Sequence, residues 1–491
     1  MRGPMSAIYG NHSGGVIQLF TADGQDPQGT TWKRFTTDPR SVEEAALRYN
    51  TRKSIDQLQG GASYERRFGE DILQFTAYAG QRSVTQYQSI PRALQLISPS
   101  TPANDPKRRQ SGGVIDFDRD FSGLSACWIG RYDLGGGRLT TTIGLDYERA
   151  SDDRRGYENF VGETLGVKGA LRRDEVNSAT SFDQYVQVEW LIGQWNVTGG
   201  LRHSNATYKV TDHYVTDGNQ DDSGTVSYSN TTPLLAVLCR LTPTLNVYAS
   251  AARGFETPTL NELFYSGPGG GFSYDLKAAT SKHFEIGLKA FVGNDSRVDL
   301  ALFAIRTANE LAVKSSFGGR TSYQNVGQTT RQGVEVAVDS RWAGDFTTRI
   351  AYSGLVARYA EPFTTVVLGV PTVIESGNDL PGVPRHTLFG ELVWRQPDGG
   401  WHAGIEGIAR SQVYVEDSNT QQAAPAYAIA NLRLGFDGQR GGLRYGGFLR
   451  LDNFFDRQYA GSVVVSDANG RYYEAAPGRN WLAGISARYA Y

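Results

Sequence analysis

The sequence predicts an all-β chain, a transmembrane antiparallel β-barrel of about 17–18 strands. Three observations carry that prediction. Apolar and polar residues alternate with period two over segments of nine or more residues. Short turns alternate with long polar loops. The composition is rich in Gly and aromatics yet polar on average.

Composition comes first because it excludes most alternatives. Of 491 residues, 58 are Gly, 26 Tyr, 22 Phe and 8 Trp, while hydrophobic residues make up only 39%. Soluble domains carry roughly 7% Gly, so this chain is Gly-rich. The 49 basic and 51 acidic side chains nearly balance, which argues against a general nucleic-acid or anionic-surface binder. No stretch approaches ~20 consecutive apolar residues, so helical membrane spans are excluded. Two cysteines, Cys127 and Cys239, make neither a disulfide scaffold nor a thiolate metal site. Barrel strands fit the mixture, because they place apolar residues toward lipid and polar ones toward the lumen, and so score as hydrophilic.

From about residue 55 onward one unit recurs: strand, tight turn, strand, long loop. In 283–291, Phe284, Ile286, Leu288 and Ala290 share one face, with His283, Glu285, Gly287 and Lys289 opposite. Such a segment is longer than the ~5–6 residues of soluble strands and matches the ~9–11 tilted residues that cross a bilayer. Short turns are predicted at 68–70, 134–136, 192–194, 242–244, 293–295, 343–345, 397–399 and 437–439. Long loops are predicted at 89–112, 152–177, 211–224, 256–280, 361–381 and 416–425. One short side and one long side is the asymmetry of outer-membrane barrels. Trp128, Trp190, Trp195, Trp342, Trp394, Trp401 and Trp481 fall mostly near strand ends beside the short turns, as an interfacial girdle requires; packed core Trp is the alternative. In the last strand Trp481, Ala483, Ile485, Ala487, Tyr489 and Tyr491 share a face, ending the chain on an aromatic.

Four segments carry a family resemblance. Arg2-Gly3-Pro4-Met5-Ser6-Ala7-Ile8-Tyr9-Gly10, with Gly14-Gly15-Val16-Ile17, resembles the end of the plug domain of TonB-dependent receptors. Residues 248–255 with Pro258-Thr259-Leu260-Asn261-Glu262-Leu263 are similar to their mid-barrel signature. Asn325-Val326-Gly327 followed by Gly333-Val334-Glu335 resembles a later one, and 452–459 with Pro477-Gly478-Arg479 resembles the closing hairpin. The four stand in family order from end to end.

The resemblance implies a 22-stranded family barrel with a plug in its lumen, here expected with fewer strands. It implies a receptor of the cell outer membrane that imports a ferric siderophore or similar scarce nutrient. The TonB complex energises it, outer-membrane lipid and lipopolysaccharide surround it, and it acts as a monomer. No reaction is catalysed, no cofactor is carried and no nucleic acid is bound. Residues 1–24 are read as a plug remnant, 25–53 as a connecting segment and 54–491 as barrel. The start, Met1-Arg2-Gly3-Pro4, shows no signal peptide, and the TonB box and most of the plug are expected to be missing from a truncated or internally deleted chain. About seventeen strands are countable, the first clear one at 55–67, with 30–35 a short candidate for the rising strand before it. A passive pore is one alternative function. A receptor for pyrroloquinoline quinone is another, since Asp38-Pro39-Arg40-Ser41, 49–53 and 154–160 resemble such receptors.

Site chemistry points to binding rather than catalysis. His12, His203, His213, His283, His386 and His402 show no ligand spacing, so no metal site is expected. The Gly-rich run 267–271 reads as a loop tip and the acidic run 217–222 as a solvated loop. Candidate ligand contacts are Arg154, Arg155, Tyr157 and Phe160 in one loop, Phe264 and Tyr265 in a second, and Arg471, Tyr472 and Tyr473 in the last. Arg beside aromatics suits an anionic planar ligand such as a catecholate chelate or quinone carboxylate. Interfacial girdle and lipopolysaccharide contacts are the competing role.

Overall fold

A computed structural model describes residues 14–25, 28–266, 271–317, 320–342, 345–397 and 399–489 of the chain. The plug-like motif at 2–10, loop tip 267–270, turn residues 343–344 and 398, and Tyr491 lie outside those residues.

One antiparallel sheet of eighteen strands dominates. In chain order these are β1 (Gly14–Gln25), β2 (Arg52–Phe68), β3 (Asp71–Tyr87), β4 (Val114–Leu134), β5 (Gly137–Tyr157) and β6 (Leu171–Ile192). Next come β7 (Trp195–Asp212), β8 (Gly224–Thr242), β9 (Leu245–Glu256), β10 (Ala279–Val292), β11 (Ser296–Ala308) and β12 (Gln328–Trp342). The series ends with β13 (Phe346–Tyr359), β14 (His386–Arg395), β15 (Trp401–Arg410), β16 (Tyr427–Arg440), β17 (Leu443–Asp452) and β18 (Asn480–Tyr489). Each strand pairs with the next in sequence, the meander expected of a membrane barrel. β4, β5 and β6 run 21, 21 and 22 residues, twice what a bilayer needs. This side of the barrel therefore stands well above the membrane.

The two faces separate as the alternation requires. Leu124, Ile143, Leu145, Leu201, Phe284 and Ile286 are exposed on the outer face, where lipid replaces water. Opposite them the inner wall is polar and largely self-neutralised. Arg202 reaches Asp183 at 2.5 Å and Asp146 at 3.1 Å, and the Tyr248 hydroxyl donates to Glu285 at 2.7 Å.

The sheet edges behave differently. Among the described residues no backbone pairing joins β18 to β1, and Ile485 of β18 is 96% exposed. The gap is bridged at the loop end instead. Thr30 forms an isolated bridge with Tyr473, and the helix α1 (Trp32–Thr37) packs Phe35 into a cluster with Val415, Tyr472 and Tyr473.

Four expectations are corrected. Residues 30–35 supply no strand: Thr31 caps α1 by accepting from the Arg34 amide, so the segment turns helical. The rising strand is β1, from the segment read as plug remnant, paired with β2 from Gly14↔Ser63 to Gln25↔Arg52. The predicted loop 152–177 shrinks to 158–170, because its charged ends are ladder rungs. Arg119 forks onto Asp152 at 2.6 and 2.7 Å, and Arg155 lies 3.7 Å from Asp174, so residues that read as solvated instead pair across strands. The last short turn lies at 441–442, not 437–439. Gly441 takes φ +56° there, while Gly438 stays in the strand and leaves room for the Tyr445 ring, which a Cβ would meet at 2.6 Å. Trp481 also departs from the short-turn girdle: it pairs with Leu451 at the loop end.

Candidate ligand-binding site

The extended walls of β5 and β6 bring Arg154, Arg173 and Glu175 to the inner face just under the loops. Alternation puts them there. Arg154 continues the inward series of Asp146, Glu148 and Asp152 on β5, and Arg173 and Glu175 continue that of Asp183 and Tyr185 on β6. The loop between β9 and β10 lowers Phe264 and Tyr265 onto them. Its short helix α2 (Leu260–Leu263) begins with a reciprocal capping box between Thr259 and Glu262, and Leu263 and Phe264 are buried beneath it. A ribbon formed by Leu311–Phe317 and Arg320–Asn325 supplies Arg320 from the far side.

The resulting cluster is an aromatic pair among cations. Arg154 lies 3.8 Å above the Phe264 ring, and Arg173 lies 4.8 Å from the same ring. Tyr265 is flanked by Arg320 at 5.1 Å and Arg173 at 5.6 Å. The Tyr265 hydroxyl accepts from Arg173 Nη1 at 3.3 Å and lies 3.3 Å from the Ser111 hydroxyl. Cation–π contact of this kind contributes more when desolvated. Glu175 neutralises one charge, accepting Arg173 Nε at 2.6 Å. Among the described residues Arg320 bonds neutral acceptors alone, Gln88 at 3.0 Å, Gln110 at 3.2 Å and the Gly112 carbonyl.

The field has a visible effect. Burial alone would raise the Tyr265 phenol, but Arg320, Arg173 and Arg154 outweigh it and hold the group at about 7. Burial and the Arg173 charge together push the Arg320 guanidinium downward. Beside the ring lies a cavity of about 40 Å³ walled by Arg173, Phe264 and Tyr265 among others.

Of the residues singled out from sequence, the structure gathers Arg154, Phe264 and Tyr265. It does not gather the rest. Arg155 points away on the next position of β5 and pairs with Asp153 at 3.0 Å. Tyr157 sits under Lys168, which caps its ring at 4.0 Å. Phe160 is buried in a two-residue ribbon under Arg92. Arg471 bonds Gln28 at 2.5 Å, and Tyr472 and Tyr473 belong to the cluster on α1. Sequence reasoning missed Arg173, Glu175 and Arg320. Carrying the alternation of β6 up to residue 171 finds the first two; for Arg320 no local pattern exists.

Comparison with known proteins bears on what this architecture is. The family described as TonB dependent receptor-like, beta-barrel matches residues 6–486. A vitamin B12 transporter BtuB of Photobacterium profundum is 25% identical over 375 residues, covering 74% of this chain and 51% of that protein. A metal-pseudopaline receptor CntO of Pseudomonas aeruginosa is 23% identical over 398 residues, covering 75% and 50%. The chain thus spans about half the length of these relatives. Among solved structures, the unliganded ferric citrate transporter FecA aligns with a TM-score of 0.73 at 16% identity, covering 96% of this chain and 67% of that one. The siderophore receptor PiuA of Acinetobacter baumannii gives 0.73 at 15%, covering 96% and 72%; likeness at such identity concerns the fold alone. A profile that fits almost from end to end, on a meander with the barrel fold of these receptors, makes the chain an outer-membrane protein rather than an enzyme and a member of the TonB-dependent receptor-like β-barrel family.

Proposed function

We propose that this chain is the barrel of a receptor that imports a ferric siderophore or a scarce nutrient of similar charge, energised through the TonB complex. Relatives named for vitamin B12 and metal-pseudopaline, and a fold neighbour named for ferric citrate, support a small chelate or cofactor as cargo. One observation carries the reading: Arg154 of β5 meets Phe264 and Tyr265 of a single loop at the loop end of the lumen, with two further arginines. Cations over aromatic faces favour an anionic, planar ligand. Within the site we assign contact to Arg154, Phe264 and Tyr265, and leave Arg155, Tyr157, Phe160, Arg471 and Tyr472 as supports of the surrounding loops.

Uptake tests the reading. A receptor-deficient, iron-starved Gram-negative host expressing the chain is supplied with labelled ferric catecholates, ferric citrate, cobalamin and pyrroloquinoline quinone, with and without TonB. Accumulation of one cargo that requires TonB and falls at least tenfold in Arg154→Ala is expected. Uptake that is equal without TonB, or absent for the whole panel from a folded barrel, overturns it.

A further inference from the structure

One set of hydrogen bonds crosses the mouth of the barrel. The two edges of the sheet meet at the loop end through the Thr30–Tyr473 bridge, so the eighteen strands run round that mouth. β3 and the β11–β12 pair then stand on opposite sides of it. Between β11 and β12 rises the ribbon of Leu311–Phe317 and Arg320–Asn325, paired from Leu311↔Asn325 at its root to Phe317↔Arg320 at its far end. A strand the length of Leu311–Phe317 reaches about 23 Å. At the far end all three nitrogens of the Arg320 fork donate to the facing side. Nη1 meets Gln88 Oε1 at 3.0 Å, Nε meets Gln110 Oε1 at 3.2 Å, and Nη2 meets the Gly112 carbonyl. Gln88 follows directly on Tyr87, where β3 ends, and Gly112 lies just before Val114, where β4 begins.

The two ends of the ribbon are held by different physics. Its root is packed. Ala312 is buried with Val326, Tyr359 and Ile374, and Asn325 brackets Lys277, accepting from its amide at 2.7 Å and donating to its carbonyl at 2.8 Å. Midway, the Thr365 hydroxyl braces the ribbon by donating to the Val313 carbonyl at 2.7 Å. The far end is polar: Arg320 holds the three neutral acceptors and lies 5.1 Å from the Tyr265 ring. Water can replace such hydrogen bonds at small net cost once the site opens, whereas it cannot replace the apolar contacts of the root. We propose that this ribbon is a strap across the mouth of the lumen, hinged at its packed root and pinned by Arg320 to the facing wall, and that release of the pin opens the lumen to the outside. The strap rests on the barrel architecture and on no particular cargo.

The test reads access to the lumen from outside an intact Gram-negative host. Ser181 pairs with Glu148 on the lumenal face of β6, so Ser181→Cys places a reporter thiol below the strap. The half-buried Cys127 is removed by Cys127→Ser, and Cys239 is buried. A maleimide on a polymer too large for porins reports exposure, and heat-modifiable gel migration reports folding. Labelling of this parent is expected to be slow. Replacing 312–324 by a Gly–Ser turn should speed it at least tenfold, and Arg320→Ala threefold or more. Gln88→Ala with Gln110→Ala withdraws acceptors from the facing side, should also speed it threefold, and serves if Arg320→Ala fails to fold. Arg155→Ala, whose side chain pairs with Asp153 away from the lumen, should change it less than twofold. Fast labelling of the parent, or an unchanged rate without the ribbon, overturns the strap. Fast labelling without the ribbon while the folded pin variants match the parent overturns Arg320 as the pin. Neither cargo nor TonB enters the measurement, so loss of the uptake reading leaves the strap standing.

Discussion

Thr30 and Tyr473 exchange backbone hydrogen bonds of 2.8 and 3.1 Å across 443 residues of sequence. No backbone pair joins the first and last strands below them among the described residues, so this bridge ties the two edges of the sheet at the loop end. Its side chains make it a packed joint. The Tyr473 ring lies 5.3 Å from both Trp32 and Phe35, and Gln458 donates to the Phe35 carbonyl at 2.8 Å.

Removing that ring is expected to loosen the whole edge. Tyr473 is 1% exposed, and deleting a buried aromatic costs about 3–5 kcal/mol. Tyr473→Ala should lower the unfolding free energy of the barrel, read from urea titration in lipid vesicles, by that much. Val373→Ala, at a site 59% exposed, should stay within about 0.5 kcal/mol. Equal midpoints for the two variants would show that the joint holds nothing.

Tyr265 should make stability depend on pH in an unusual window. Its phenol ionises near 10 when unfolded and is held at about 7 in the fold. A depressed acid stabilises fully above its unfolded value and loses that contribution as pH falls toward its folded value. Stability from this group should therefore rise between pH 7 and 10. The difference between the native chain and Tyr265→Phe grows over that interval, and the phenolate absorbance step near pH 7 disappears in the variant. A single tyrosine step above pH 9 in both proteins would contradict the three-cation setting.

Much of this was legible in the sequence, and the reasons are local. Alternation such as Phe284-Glu285-Ile286 fixes which face meets lipid, and Gly135-Gly136, at φ +61° and +77°, marks a turn only glycine adopts readily. The errors lie where charge was read as solvation. Asp152, Asp153, Arg154 and Arg155 look like loop because nothing local reveals partners on β4 and β6, yet Arg119 waits opposite Asp152. The site suffered most. Arg154 and Tyr265 are 111 positions apart and Arg320 is a further 55 away, so only the register of the sheet and the loops above it bring them together.

The face assignment predicts opposite outcomes for one substitution type. Leu145 is 47% exposed on the outer face, whereas Gln187, paired with Thr142, belongs to the lumenal series. Arginine facing lipid near the bilayer centre costs about 2–4 kcal/mol, while a lumenal arginine remains in water. Leu145→Arg should fold poorly into vesicles and Gln187→Arg normally, read by the heat-shifted band. Equal folding yields would mean that the faces are inverted or the sheet does not span the bilayer.

Arg154 and Arg119 supply the last contrast, because among the described residues the first has a buried Nη1 without an acceptor and the second is held by a carboxylate. Replacing a buried, unpaired charge with an apolar side chain of similar length removes a desolvation cost, and such exchanges stabilise by about 1–4 kcal/mol. Arg154→Met should accordingly raise the urea midpoint. Arg119→Met works the other way. It strands the Asp152 carboxylate, 5% exposed and forked by Arg119 at 2.6 Å, at a cost of about 2 kcal/mol or more. A fall in stability for both variants would mean that Arg154 is already satisfied within the protein.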